Sequence, residues 1–139
     1  MNVDRPDERF AALESYIQVF EDPMYVFGTW IEEHDDDGHE VTRHFEPSAT
    51  ADAFVHTCYA LGWILPDFPW AEWTQSDEWR SLRDDPTTLA RATTRQIAQV
   101  LTVLVRLNRS SEGALAEAFN SGLLTMIVRR VREIRLEET

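Results

Sequence analysis

Apolar side chains in the first stretch of the chain recur at three- and four-residue intervals. Phe10, Leu13, Ile17 and Phe20 fall on one helical face, with Asp4 placed to cap the start and Pro6 and Asp7 suited to a first turn. The spacing predicts a helix from Arg5 to Phe20, ended by Asp22-Pro23. From residue 24 the pattern changes. Met24-Tyr25-Val26-Phe27-Gly28-Thr29-Trp30 is aromatic and β-branched, as strands are, and His34-Asp35-Asp36-Asp37-Gly38-His39 reads as a turn. With residues 39–45 as the return strand, a small β-hairpin is predicted around residues 24–45.

Helical spacing returns after Glu46-Pro47-Ser48, with Ser48 as cap, Ala51, Phe54, Val55, Cys58 and Leu61 facing inward, and Gly62 as the stop. Residues 63–73 break the pattern: Pro66 and Pro69 prevent a continuous helix, yet Trp63, Ile64, Leu65, Phe68, Trp70 and Trp73 need burial. An irregular strap packed over the core meets both demands; an aromatic ligand pocket or partner hot spot is the functional alternative. A short helix follows around Asp77–Leu82, and Asp84-Asp85-Pro86 interrupts the chain.

Beyond Thr88 the pattern is helical throughout. Thr93 and Gln96 form a capping box, with Ala92 and Ile97 at the staple positions. In the helix over 94–107, the polar positions shrink to a stripe of Arg95, Gln99, Thr102 and Arg106, which places this helix at the centre of the fold. Ser110 or Ser111 caps the next helix, which ends near Asn120-Ser121-Gly122, and the last helix buries Leu123, Leu124, Ile127, Val128, Val131 and Ile134. The predicted fold is mainly α, a single compact multi-helix domain with a small hairpin; 139 residues with 43% hydrophobic content suit one domain.

Several of these segments carry a resemblance. Gly62-Trp63-Ile64 leads into Asp67-Phe68-Pro69-Trp70-Ala71-Glu72-Trp73. Farther on come Leu104-Val105-Arg106, Arg109, Glu112-Gly113, Phe119 and Gly122-Leu123. In these residues the chain resembles a family of bacterial and archaeal proteins catalogued as domain of unknown function 6508. The resemblance spans roughly residues 48–135 and implies no activity. Residues 21–47 depart from it, which marks this acidic insert as the place for a partner of the chain's own.

Charge is distributed unevenly. Residues 1–85 carry 20 acidic side chains against five Arg, a balance of −15; residues 86–139 carry five against eight Arg, a balance of +3. The net charge is −12 and there is no lysine, which GC-rich coding or salt adaptation explains without any use of arginine chemistry. An acidic half repels nucleic-acid phosphate and suits a basic protein partner. Cys58 is the only cysteine, so no intramolecular disulfide forms and a reducing compartment is expected. Met1-Asn2-Val3-Asp4-Arg5 has no apolar signal segment, and no apolar run reaches the ~18 residues of a membrane span, so the expectation is a cytoplasmic protein without a membrane partner.

Each candidate chemistry has a plainer reading beside it. Glu33, Asp35, Asp37 and Gly38 match the opening of a calcium loop, but His44 stands where a bidentate glutamate is needed. His39 and His44 are five apart, not the four a helical zinc pair requires. A solvated acidic turn is the reading, and no metal or cofactor is assigned. Cys58 and His56 point apart on a helix, which leaves a structural thiol and no local dyad. Arg106, Arg109 and Glu112 sit at a helix junction, either holding an anion or pairing among themselves and capping carbonyls. Arg129, Arg130, Arg132 and Arg135 on the last helix suggest a helix-turn-helix, against which the net charge argues. The five glycines never cluster, so no phosphate loop exists.

No catalytic residue follows from this inventory. The expected function is a non-enzymatic protein–protein interaction module that presents Glu32, Glu33, Asp35, Asp36 and Asp37 to a partner with a basic surface. One form of it is an inhibitor or antitoxin-like nucleic-acid mimic. The alternative is a small-ligand-binding protein or enzyme with a site between Trp70, Trp73, Arg106, Arg109 and Glu112. A helix-turn-helix DNA binder is third.

Overall fold

The computed structural model describes residues 6–34 and 41–137. Asp4, the expected first cap, and the Asp35-Asp36-Asp37-Gly38-His39 turn lie outside the described residues. The fold is mainly α with one two-stranded antiparallel ribbon. The predicted first helix is divided into α1 (Pro6–Glu14) and α2 (Ile17–Phe20). At the division the Ser15 hydroxyl donates to the Ala12 carbonyl at 2.6 Å, and the Tyr16 N–H bonds the Leu13 carbonyl, which tightens the turn. The stripe survives: Phe10, Leu13, Ile17 and Phe20 are all buried.

The ribbon pairs β1 (Gly28–His34) with β2 (Val41–Pro47), later in the chain than the sequence suggests. Residues 24–27 are drawn out of the strand by other contacts. The Asp22 carboxylate accepts the Met24 N–H at 2.9 Å, the Tyr25 N–H bonds the Asp22 carbonyl, and Tyr25 and Phe27 turn into an aromatic cluster. That cluster joins Tyr16, Phe20, Tyr25, Phe27, Phe54 and Phe119 with ring centroids between 5.1 and 6.5 Å apart, and it seats the root of the ribbon.

Helix α3 (Ala49–Ala60) opens on Ser48, whose hydroxyl accepts the Ala51 N–H at 3.1 Å. Ala51, Phe54 and Cys58 are buried, and Val55 and Leu61 are half-buried. The 63–73 segment is a strap. Trp63 is fully buried, its indole N–H donating to the Arg9 carbonyl at 3.2 Å with the Arg9 guanidinium 4.0 Å from the ring centroid. The strap continues into α4 (Trp70–Trp73), α5 (Asp77–Asp84) and α6 (Pro86–Leu89).

Helix α7 (Thr94–Ser110) starts with the predicted capping box and buries Ile97, Ala98 and all of Val100 to Val105. It runs three residues longer than expected, so neither Ser110 nor Ser111 caps its successor, α8 (Ala114–Asn120). Gly113 holds the cap position at φ 87°, and the Asn108 side-chain carbonyl accepts the Leu115 N–H at 3.1 Å. Helix α9 (Leu123–Glu137) buries the six residues predicted for it and packs along α1, α2 and α7.

Candidate functional site

No described residue of the two ribbon strands is among the buried core residues, and Phe45 packs against that core from outside. Its register, Trp30 opposite Phe45 and Glu32 opposite Arg43, puts these four on one face, and Thr29, Ile31, Glu33, Thr42, His44 and Glu46 on the other. The first face rests on the helical body at its base. Trp30 and Phe45 meet edge to face at 5.3 Å, and Trp30 lies so close over Gly113 that a Cβ there would sit 2.5 Å from its ring. The Glu112 carboxylate accepts the Phe45 N–H. Toward the outer end Arg43 leans over the Trp30 ring, 4.6 Å from its centroid.

Glu32 and Glu33 are both exposed, and neither pairs with a cation among the described residues. As neighbours on a strand, Glu32 and Glu33 point to opposite faces of the ribbon. Asp35, Asp36 and Asp37 lie outside the described residues.

The alternative set is split between two ends of α7. Trp73 donates its indole N–H to Glu78 at 2.6 Å, and Glu78 accepts from the Gln96 side chain at 3.1 Å, which fixes Trp73 near the start of α7. Trp70, like Trp73, is half-buried. Arg106 lies ten residues beyond Gln96, a rise of about 15 Å along a helix. There its guanidinium faces the Tyr59 ring at 6.0 Å, while exposed Arg109 borders an open groove of about 360 Å³ with Val55, Tyr59, Val105 and Asn108. Glu112 serves the ribbon and makes no ion pair with Arg106 or Arg109.

Three of the four arginines of the last helix are occupied within the chain, and the fourth, Arg132, is exposed. Arg129 pairs with Glu21 and Arg135 with Glu14 at 2.6 Å. Arg130 donates to the Ala92 carbonyl at 2.9 Å and reaches Glu133 and Glu137. Cys58 is fully buried, and burial pushes its thiol up to about 12. Among the described residues no group of three His, Cys, Asp or Glu gathers to hold a metal ion, and no helix is long and apolar enough to cross a membrane.

Sequence reasoning missed the contacts that hold the arm. Glu112 and Gly113 lie 67 and 83 residues from Phe45 and Trp30, and local periodicity carries no signal for such pairs. Glu112-Gly113 does belong to the segments that carry the family resemblance, which was the one available pointer.

Fold and site together define a mainly helical protein bearing an acidic two-stranded arm. The chain matches the model of a family of unknown function (DUF6508) over residues 5–137, and it belongs to that family. The matched span is wider than the resemblance over roughly residues 48–135, and residues 21–47 fall between its bounds. No curated protein and no solved structure matches the chain.

Proposed function

We propose that this protein is a protein–protein interaction module whose acidic arm engages a basic surface on its partner. The observation that carries the reading is the pair Glu32 and Glu33, exposed on both faces of the outer ribbon and unpaired among the described residues. Arg129 and Arg135, in contrast, are drawn into pairs with Glu21 and Glu14, so the positive charge nearest the N-terminal helices is already engaged. Unpaired carboxylates on an arm supply long-range attraction, which speeds encounter with a basic partner and weakens as salt rises. A nucleic-acid-mimicking inhibitor or antitoxin is the concrete form this takes, and the buried lone thiol suits a reducing cytoplasm.

The test neutralises Glu32, Glu33, Asp35, Asp36 and Asp37 to their amides in the full chain. Proteins captured from the native cell by wild type at low salt are expected to be lost at high salt and lost with the variant. Association rates measured on the captured partner should fall by about tenfold or more. Capture and rate that are equal for both proteins would remove the arm from the interface.

A further inference from the structure

The hydrogen-bond phase of the ribbon shows which of its backbone groups remain unused. The Ser48 N–H donates to the Phe27 carbonyl at 2.8 Å, so Phe27 and Ser48 form a hydrogen-bonded pair of the antiparallel ladder. Alternation along the register then makes Thr29–Glu46, Ile31–His44 and Glu33–Thr42 the bonded pairs. Gly28–Pro47, Trp30–Phe45 and Glu32–Arg43 are the non-bonded ones, with their N–H and C=O groups facing outward. Two features agree with this phase. Pro47, which has no N–H, occupies a non-bonded position, and the outward Phe45 N–H is the one Glu112 receives. The β2 edge is thus anchored to the body, while on β1 the outward groups of Gly28, Trp30 and Glu32 bond to nothing among the described residues.

Both faces beside that edge are shaped differently. On the face of Trp30 lies a cavity of about 300 Å³ walled by Phe27, Trp30, Ala116 and Phe119, with Glu117 and Asn120 also in its lining. On the other face Ile31 and Val26 border a shallow recess of about 410 Å³ with Glu46 on its rim, and Glu33 stands exposed on the same face. Trp30 on β1 is 41% exposed and Val26, two residues before the strand, is 62% exposed.

We infer that the open β1 edge is a strand-addition site for an extended segment of the partner, with apolar residues on the Trp30 face and basic residues on the Glu33 face. A strand laid along β1 completes the outward N–H and C=O groups of Gly28, Trp30 and Glu32, and its side chains alternate between the two faces. Those on the Trp30 face enter the aromatic cavity; those on the opposite face meet Glu33 and Glu46. A second copy of this chain is a poor occupant. Pairing β1 with β1 brings Glu32 and Glu33 of both copies to one edge of two molecules that each carry −12. The inference rests on the acidic-arm reading and adds the backbone geometry of recognition.

The probe is a short synthetic peptide alternating valine and lysine, compared with one alternating valine and glutamate. In the free protein, the amides of Gly28, Trp30 and Glu32 should exchange with solvent quickly, whereas Thr29, Ile31 and Glu33 are held by the ladder. Adding the lysine peptide should slow exchange at the first three by about tenfold or more, and the glutamate peptide should not. Glu32→Pro removes one outward N–H at an edge position and keeps the ladder, while Glu32→Gln removes only the charge. Glu32→Pro should bind the lysine peptide about tenfold more weakly than Glu32→Gln. Equal binding by those two variants, or unchanged exchange at Gly28, Trp30 and Glu32 in wild type, overturns strand addition. Protection at those amides that rises with protein concentration, without peptide, overturns it in favour of a second copy. Glu33→Gln separates the two claims: if it weakens lysine-peptide binding while the edge tests fail, the acidic arm stands without strand addition.

Discussion

Thr102 belongs by spacing to the polar stripe of α7, yet it is fully buried. Its hydroxyl accepts the Leu65 N–H at 2.9 Å and donates to the Ala98 carbonyl at 2.7 Å, so it ties the strap to the central helix. A helical wheel shows that a position is polar; it does not show that another segment crosses there to use the polarity. Cys58 is the contrary case, since its place on the inward stripe of α3 already signals burial and the structure agrees. With no cation beside it and its thiol raised to about 12, it holds almost no thiolate at neutral pH. Thiol reagents should label Cys58 in the unfolded chain within minutes and leave the folded protein unlabelled over the same period. Labelling at comparable rates in both states would place the thiol in solvent.

Among the elements, the long periodic ones were legible and the short contact-dependent ones were shifted. The capping box of α7, the Ser48 cap of α3 and the six buried residues of α9 follow from local rules and reappear in the structure. Strand β1 is displaced because Tyr25 and Phe27, good strand residues, are claimed by the aromatic cluster around Phe20 and Phe119. The start of α8 depends on Gly113 and on the reach of Asn108, two features that serine-based capping rules do not consider. Helix α7 occupies the centre, as its narrow polar stripe implies, with Leu101 and Leu104 0% and 5% exposed. Leu101→Ala or Leu104→Ala should therefore lower unfolding free energy by about 2–5 kcal/mol in denaturant titration. A loss under about 0.5 kcal/mol at both sites would make the helix peripheral.

Across the whole molecule, the charge asymmetry of the sequence has a structural use that residue counting does not reveal. Arg129 and Arg135 of α9 reach Glu21 and Glu14 of the first two helices, joining the basic end of the chain to its acidic beginning. Both arginines lie more than a hundred residues from their partners, which is why the sequence shows the imbalance without the pairing. The Glu14–Arg135 contact is the better formed, with two hydrogen bonds at 2.6 and 2.8 Å and both side chains mostly buried. Those bonds from Arg135, helped by its charge and that of Arg132, hold the Glu14 carboxyl below its ordinary 4.5 against the opposing effect of burial. With the folded value depressed, the unfolded chain binds the proton more readily than the folded one. The pair's stabilisation is then complete above the unfolded value of 4.5 and drains away as pH falls through the lower folded value. Glu14→Gln should melt below wild type by a constant margin from neutral pH down to about pH 5, and the margin should close as the pH drops further. A margin that persists undiminished in acid would mean that Glu14 stabilises α1 against α9 by packing and not by charge.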